Sequence, residues 1–143
     1  MSKKSYKSEG KTRVLLNLLS DPAVIIDQKG LFLMANDEFG KETGINPKEL
    51  IGKPFLNLDI LPAKSKAVIL ENLSAKLQGV NVTPYEIQFT NASGEARFIE
   101  VKGKIISYAG QPADLVVFHD VTRTKENARQ LKEYAERMEA LQT

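Results

Sequence analysis

Apolar and polar positions along the chain change period several times, and each change marks an element. Over residues 12–19 the leucines and Val14 cover more than one side of a short helix, which Ser20-Asp21-Pro22 ends. Residues 23–27 and 31–35 are short apolar runs around Gln28-Lys29-Gly30, the spacing of a tight β-hairpin. Asn36 or Asp37 can cap the helix that follows, which keeps Phe39 on its inner face and stops at Gly44. A second helical turn over 46–50 has Pro47 at the favoured first position and ends at Gly52. Residues 63–78 place Ile69, Leu73 and Leu77 on one stripe, with Leu70 beside it and Gly79 as the stop, which predicts an amphipathic helix.

The second half alternates with period two. Tyr85, Ile87 and Phe89 interleave with Glu86, Gln88 and Thr90, and residues 91–95 turn the chain. Residues 97–108 continue with Ile99, Val101 and Ile105 on one parity, and Ala109-Gly110-Gln111-Pro112 turns the chain again into 114–121. Two strands, helical connectors and three more antiparallel strands predict an α+β domain with a single sheet, one face of which is available to the helices. Past Val121 a charged stretch free of proline and glycine runs to Thr143, with Asp120 or Thr122 as its N-cap, and reads as a helix. With Thr124 at position a, Asn127, Leu131, Tyr134, Met138 and Leu141 fall on successive d and a positions, and Glu133 and Arg137 form an i,i+4 pair. This seam is partly polar and shorter than the roughly three or four heptads of a convincing coiled coil. The helix therefore calls for docking or for continuation in a longer parent protein.

At 143 residues, 42% hydrophobic and 27% charged, the chain has the makings of one globular core rather than two. The expected organisation is a disordered basic tail over 1–11, a domain over 12–121 and a helical linker over 122–143. Lys3, Lys4, Lys7 and Lys11 against Glu9 concentrate a charge of +3 in that tail, against +2 for the whole chain, so the folded part is close to neutral. No basic stripe with interleaved aromatics follows, so nucleic acid is not an expected partner. Apolar runs such as 14–19 and 115–118 fall far short of the roughly 20 residues of a bilayer span, so no membrane insertion is expected. Thr12, Arg13 and Asn17 interrupt the leucines that a secretory signal would need, which makes the cytoplasm the expected compartment.

Several short motifs carry a resemblance. Ala23-Val24-Ile25-Ile26-Asp27 with Gly30, Ala35-Asn36 with Phe39, Thr43-Gly44, Glu49-Leu50-Ile51-Gly52-Lys53 and Asp120-Val121-Thr122 together resemble the PAS domain, over residues 14–141. The resemblance implies a five-stranded antiparallel sheet of order 2-1-5-4-3, with an N-terminal flanking helix and a C-terminal signalling helix. It also implies that the long helix over 63–78 lies across the sheet, with a small pocket between them. In some members such pockets hold cofactors or metabolites, and in others side chains fill them. Asp-Val-Thr resembles the family's junction between last strand and outgoing helix, which makes Asp120 and Thr122 the expected signal-coupling residues. A sensory histidine kinase or related signalling protein is the kind of parent implied, with any kinase activity in domains outside this chain.

The available chemistry narrows the cofactor. Cysteine is absent, which removes thiol-linked flavin and coumarate chromophores along with disulfides and thiolate metal sites. Haem-binding PAS domains ordinarily supply an axial histidine from the long helix, and 63–78 contains none, so haem is disfavoured. His119 and Asp120 are neighbours on a strand, point to opposite faces and cannot chelate a metal together. No nucleophile elbow or Walker loop is present, so no catalytic or metal-ligating residue is assigned. The cofactor stays unknown, with room for a non-covalent flavin adenine dinucleotide, a small carboxylate or a fatty acid. Asn36, Gln88 and Lys102 are the candidate ligand-binding residues, against the alternative that all three are surface residues. The expected assembly is a homodimer through Leu15, Leu18, Leu19, Leu131, Tyr134, Met138 and Leu141, coupled to an output domain. The alternative is a ligand-free interaction domain with a filled pocket.

Overall fold

Period-two alternation becomes a five-stranded antiparallel sheet in the order β2-β1-β5-β4-β3. The computed structural model describes the backbone of residues 3–142 and the side chains of residues 10–142. Along the chain come α1 (Lys3–Asn17), β1 (Ala23–Asp27), β2 (Phe32–Ala35), α2 (Asp37–Thr43), α3 (Pro47–Leu50) and a 3-10 turn (Phe55–Asn57). Then follow α4 (Ala63–Leu77), β3 (Tyr85–Thr90), β4 (Ala96–Tyr108), β5 (Gln111–Asp120) and α5 (Thr122–Gln142). This is the α+β architecture that the resemblance implies.

The two strand parities build two apolar layers. On the helix-covered face Val24, Ile26, Phe32, Ile87, Phe89, Ile99, Val101 and Val116 meet Phe39, Leu50, Phe55, Leu58, Ile69 and Leu73. On the other face Ala23, Ile25, Met34 and Ala113 pack with Leu16, the one α1 side chain buried among those described. Val14, Leu15, Leu18 and Leu19 are exposed.

Three local outcomes differ from the expected boundaries. The helix expected over 12–19 starts at Lys3, because nothing between Lys3 and Asn17 breaks it except Gly10, which costs about 1 kcal/mol against alanine. It therefore also covers the expected tail from Lys3 onward, while residues 1 and 2 lie outside the described residues. The last hairpin is tighter than expected, since Tyr108 pairs with Gln111 and only Ala109 and Gly110 make the turn, at φ 50° and 78°. Pro112 can then sit within β5, because β1 ends opposite Ala113 and no strand beyond needs its N–H.

The inner face of α4 holds the third difference. It buries Ser65, Ile69 and Leu73, and then Lys76, while Leu70 stays exposed and Leu77 is half-buried. The Lys76 ammonium reaches 2.5 Å from Asp114 Oδ2 on β5, with 6% and 4% of the two side chains exposed. Gly103 on β4 makes room for the pair, since a Cβ there would run into the Lys76 ammonium and stand 2.9 Å from Asp114 Oδ1. That Oδ1 is buried with no hydrogen-bond partner among the described residues. Burial raises the Asp114 pKa, with the bond from Lys76 and its charge pulling the other way. Burial, with Asp114 nearby, also pushes the Tyr85 phenol up.

Candidate functional site

At the opposite end of the helix-covered face a cavity of about 200 Å³ lies between the sheet and α2, the 3-10 turn with the loop after it, and α4. Its walls are apolar because strands β1, β3, β4 and β5 send one parity inward: Ile26, Ile87, Phe89, Ile99, Val116 and Phe118. Phe39 sits between two other rings, 6.0 Å from Phe32 and 5.8 Å from Phe118 by centroids, at tilts of 53° and 46°. Ser20, Asp21, Glu38, Glu42, Thr43 and Asp120 supply the polar part of the lining.

Asn36 fixes the position of α2, and thereby of Phe39. It is 1% exposed. Its Oδ1 accepts from Ala23 N at 2.9 Å and Phe39 N at 3.0 Å, while its Nδ2 donates to the carbonyls of Leu16 and Asp21 at 3.0 Å each. One amide thus caps α2 and ties it to β1 and to the end of α1, with its hydrogen-bonding capacity used inside the protein. Gly44, at φ 73°, closes the same helix in the left-handed conformation.

Asp120 connects the cavity to α5. Its Oδ2 accepts from Arg97 Nε at 2.7 Å and its Oδ1 from Thr122 N at 2.9 Å. Thr122 Oγ1 accepts from Phe98 N at 2.8 Å, and Val121 N donates to Phe98 O at 2.9 Å. Burial works to raise the Asp120 pKa, but the bonds from Arg97 and Thr122 and the Arg97 charge outweigh it and hold the carboxyl below its ordinary value. The same bond to Asp120 raises the Arg97 guanidinium. One turn further on, Lys125 Nζ lies 2.6 Å from Glu86 Oε2 and 4.8 Å from the centre of the Phe98 ring. Beyond Thr122, every described α5 side chain is exposed, Leu131, Tyr134, Met138 and Leu141 among them.

Asp120 and Thr122 therefore meet at the strand-to-helix junction, whereas Asn36, Gln88 and Lys102 are not brought together and none lines the cavity. Asn36 is spent on caps. Gln88 and Lys102 lie on the strand parity opposite to Ile87 and Val101, and are exposed. Lys102 stands 3.4 Å from Glu100, and Gln88 is held through its main chain by Ser65 Oγ at 2.8 and 3.2 Å. His119 also lies outside the lining, with Nδ1 3.2 Å from Asp21. A cavity of this size, lined by no histidine in a chain without cysteine, fits neither haem nor a thiol-linked flavin. Arg97, Glu86 and Lys125 were missed by sequence reasoning, because they come together from β4, β3 and α5, which no local pattern signals. Among the described residues no cluster of metal-ligating side chains occurs, and no helix is long and apolar enough to cross a membrane.

The sequence profile of the family described as PAS fold matches residues 10–121. Among solved structures, the PAS domain of an HTR-like protein from Haloarcula marismortui is 19% identical, covering 82% of this chain and 95% of that one at a TM-score of 0.60. The PAS domain of the Cronobacter turicensis RpfR quorum-sensing receptor, in complex with C12:0, is 20% identical, covering 73% and 96% at a TM-score of 0.62. A PAS domain from a two-component sensor histidine kinase is 16% identical, covering 81% and 98% at a TM-score of 0.61. At such identities the likeness establishes the fold alone. No curated protein matches the sequence.

Proposed function

This chain belongs to the PAS fold family, and on that premise we propose that it is a sensor and dimerisation module whose cavity is coupled to an output domain through α5. The observation that carries this reading is the double role of Asp120, which lines the cavity and holds the first N–H of α5. A molecule entering the cavity would press on Ile99 and Phe118, strand neighbours of Phe98 and Asp120, and so disturb the bonds that set the angle of α5. Asp120 and Thr122 are the coupling residues in this reading. The parent protein is a cytoplasmic sensory histidine kinase or a related signalling protein, and the module itself performs no catalysis.

Leu15, Leu18 and Leu19 on α1 and Leu131, Tyr134, Met138 and Leu141 on α5 would form the homodimer interface. Leu131 is 70% and Leu141 81% exposed, an arrangement that a second copy of the seam would relieve. The exposed seam favours dimerisation whether or not a ligand occupies the cavity, so a ligand-free interaction domain is the second reading. Native mass spectrometry of the purified protein separates the two, because a retained small molecule supports sensing and a bare polypeptide mass supports the ligand-free domain. Sedimentation at micromolar concentration tests the assembly: a dimer weakened by Leu131→Lys is expected, and a monomer unaffected by the change refutes the interface.

A further inference from the structure

Every charged side chain that lines the cavity is acidic: Asp21, Glu38, Glu42 and Asp120. Three of them have a partner, Asp21 in His119, Glu38 in Lys41 and Asp120 in Arg97, whereas Glu42 forms none of the ion pairs found among the described residues and feels only the more distant charge of Arg97. Two side-chain cations, Lys41 and Arg97, and the imidazole of His119 therefore face four carboxylates around the polar end of an otherwise apolar chamber. We infer that the cavity selects a small apolar amine, a single aromatic ring with a short tail ending in an ammonium group, and rejects carboxylates. The inference rests on the sensing reading above and names its ligand class.

Size, polarity and charge each limit the occupant. A chamber of about 200 Å³ is somewhat larger than the roughly 150 Å³ that suffices to bind benzene, so one ring and a short chain fill it. A dinucleotide or a long acyl chain does not fit at this volume. The walls, Ile26, Ile69, Ile87 and Val116 among them, offer no hydrogen bonds to a polar body and so favour a hydrocarbon one. At the polar end an ammonium gains from the Glu42 carboxylate, where a carboxylate meets repulsion. The small carboxylate and the fatty acid left open by the sequence are thereby set aside for this chain.

The test uses three probes that share a phenylethyl body and differ in headgroup, 2-phenylethylamine, 2-phenylethanol and 3-phenylpropanoate, titrated calorimetrically into the whole chain at low ionic strength. The amine should bind at least about fivefold more tightly than the carboxylate, with the alcohol between them. Added salt should narrow the gap. Glu42→Gln should narrow it too. Glu42 is half-buried at the surface of α2, and the comparison of probes on the unaltered chain stands even if that variant folds poorly. Equal affinities, or a tighter carboxylate, would overturn the charge selection and leave the cavity as a binding site. Failure of all three probes to bind would overturn the sensing reading along with it.

Discussion

Lys76→Met keeps the aliphatic stem on the α4 stripe and removes only the ammonium, leaving the Asp114 carboxylate buried without its partner. With both side chains almost wholly out of water, breaking the pair in this way should cost about 3–5 kcal/mol. That is a large part of the roughly 5–15 kcal/mol by which domains are stable, and at urea m-values of about 1–3 kcal/mol/M it displaces the midpoint by about 2 M. Equilibrium unfolding in urea, followed by circular dichroism, reads the change directly. Lys76→Met with Asp114→Val removes both charges, and the double variant should recover most of the loss. Acid should help the single variant as well. Burial already raises the Asp114 pKa in the folded protein, and without Lys76 it rises further, so the folded state keeps a proton that the unfolded chain gives up. Stability linked to that proton is present below the unfolded value near 4 and is lost as pH rises through the folded one, so the deficit is greatest at neutral pH. A single-variant cost below about 1 kcal/mol, or a deficit that grows in acid, would refute the claim that the charges are buried and interdependent.

Gly103→Ala should destabilise by about 1–3 kcal/mol in the same unfolding assay, since the new methyl displaces the Lys76 ammonium from its seat. Ala109→Asn should instead stabilise by about 1 kcal/mol, because Ala109 is held at φ 50° in a two-residue hairpin where Asn-Gly is the preferred pair. Asp120→Asn should cost about 1 kcal/mol at neutral pH through weakened bonds to Arg97 and Thr122. Because the folded Asp120 pKa is depressed, the wild-type advantage is present above the unfolded value near 4 and fades as pH falls through the folded one; paired melts at pH 6 and pH 3 should show the gap closing.

Strand parity and helix stops were legible because they depend on neighbours in sequence. Ile87 and Phe89 face inward as alternation requires, and Gly44 and Gly79 both adopt positive φ just after their helices. Lys76 was not legible, since a lysine on a helix reads as solvated until a partner 38 residues away and a side-chain-free position at Gly103 are brought to it by the fold. Asn36 was legible as a cap but was also assigned to ligand binding, and only the carbonyls of Leu16 and Asp21 show that its amide is already satisfied. For Gln88 and Lys102 the inward parity could not be chosen from alternation alone; pairing with neighbouring strands decides it. The acidic cavity mouth gathers Asp21, Glu38, Glu42 and Asp120 from three separate stretches of chain, a convergence that no local pattern encodes.

Thr122 is the last buried residue before 20 exposed ones, in a helix of 21 residues. At 1.5 Å per residue that rod is about 30 Å long, so a swing of about 10° at its root carries the far end about 5 Å, close to one helical pitch. The geometry is that of a lever: displacements at the root too small to disturb the packing of the sheet would appear at the tip as lateral shifts of several ångströms.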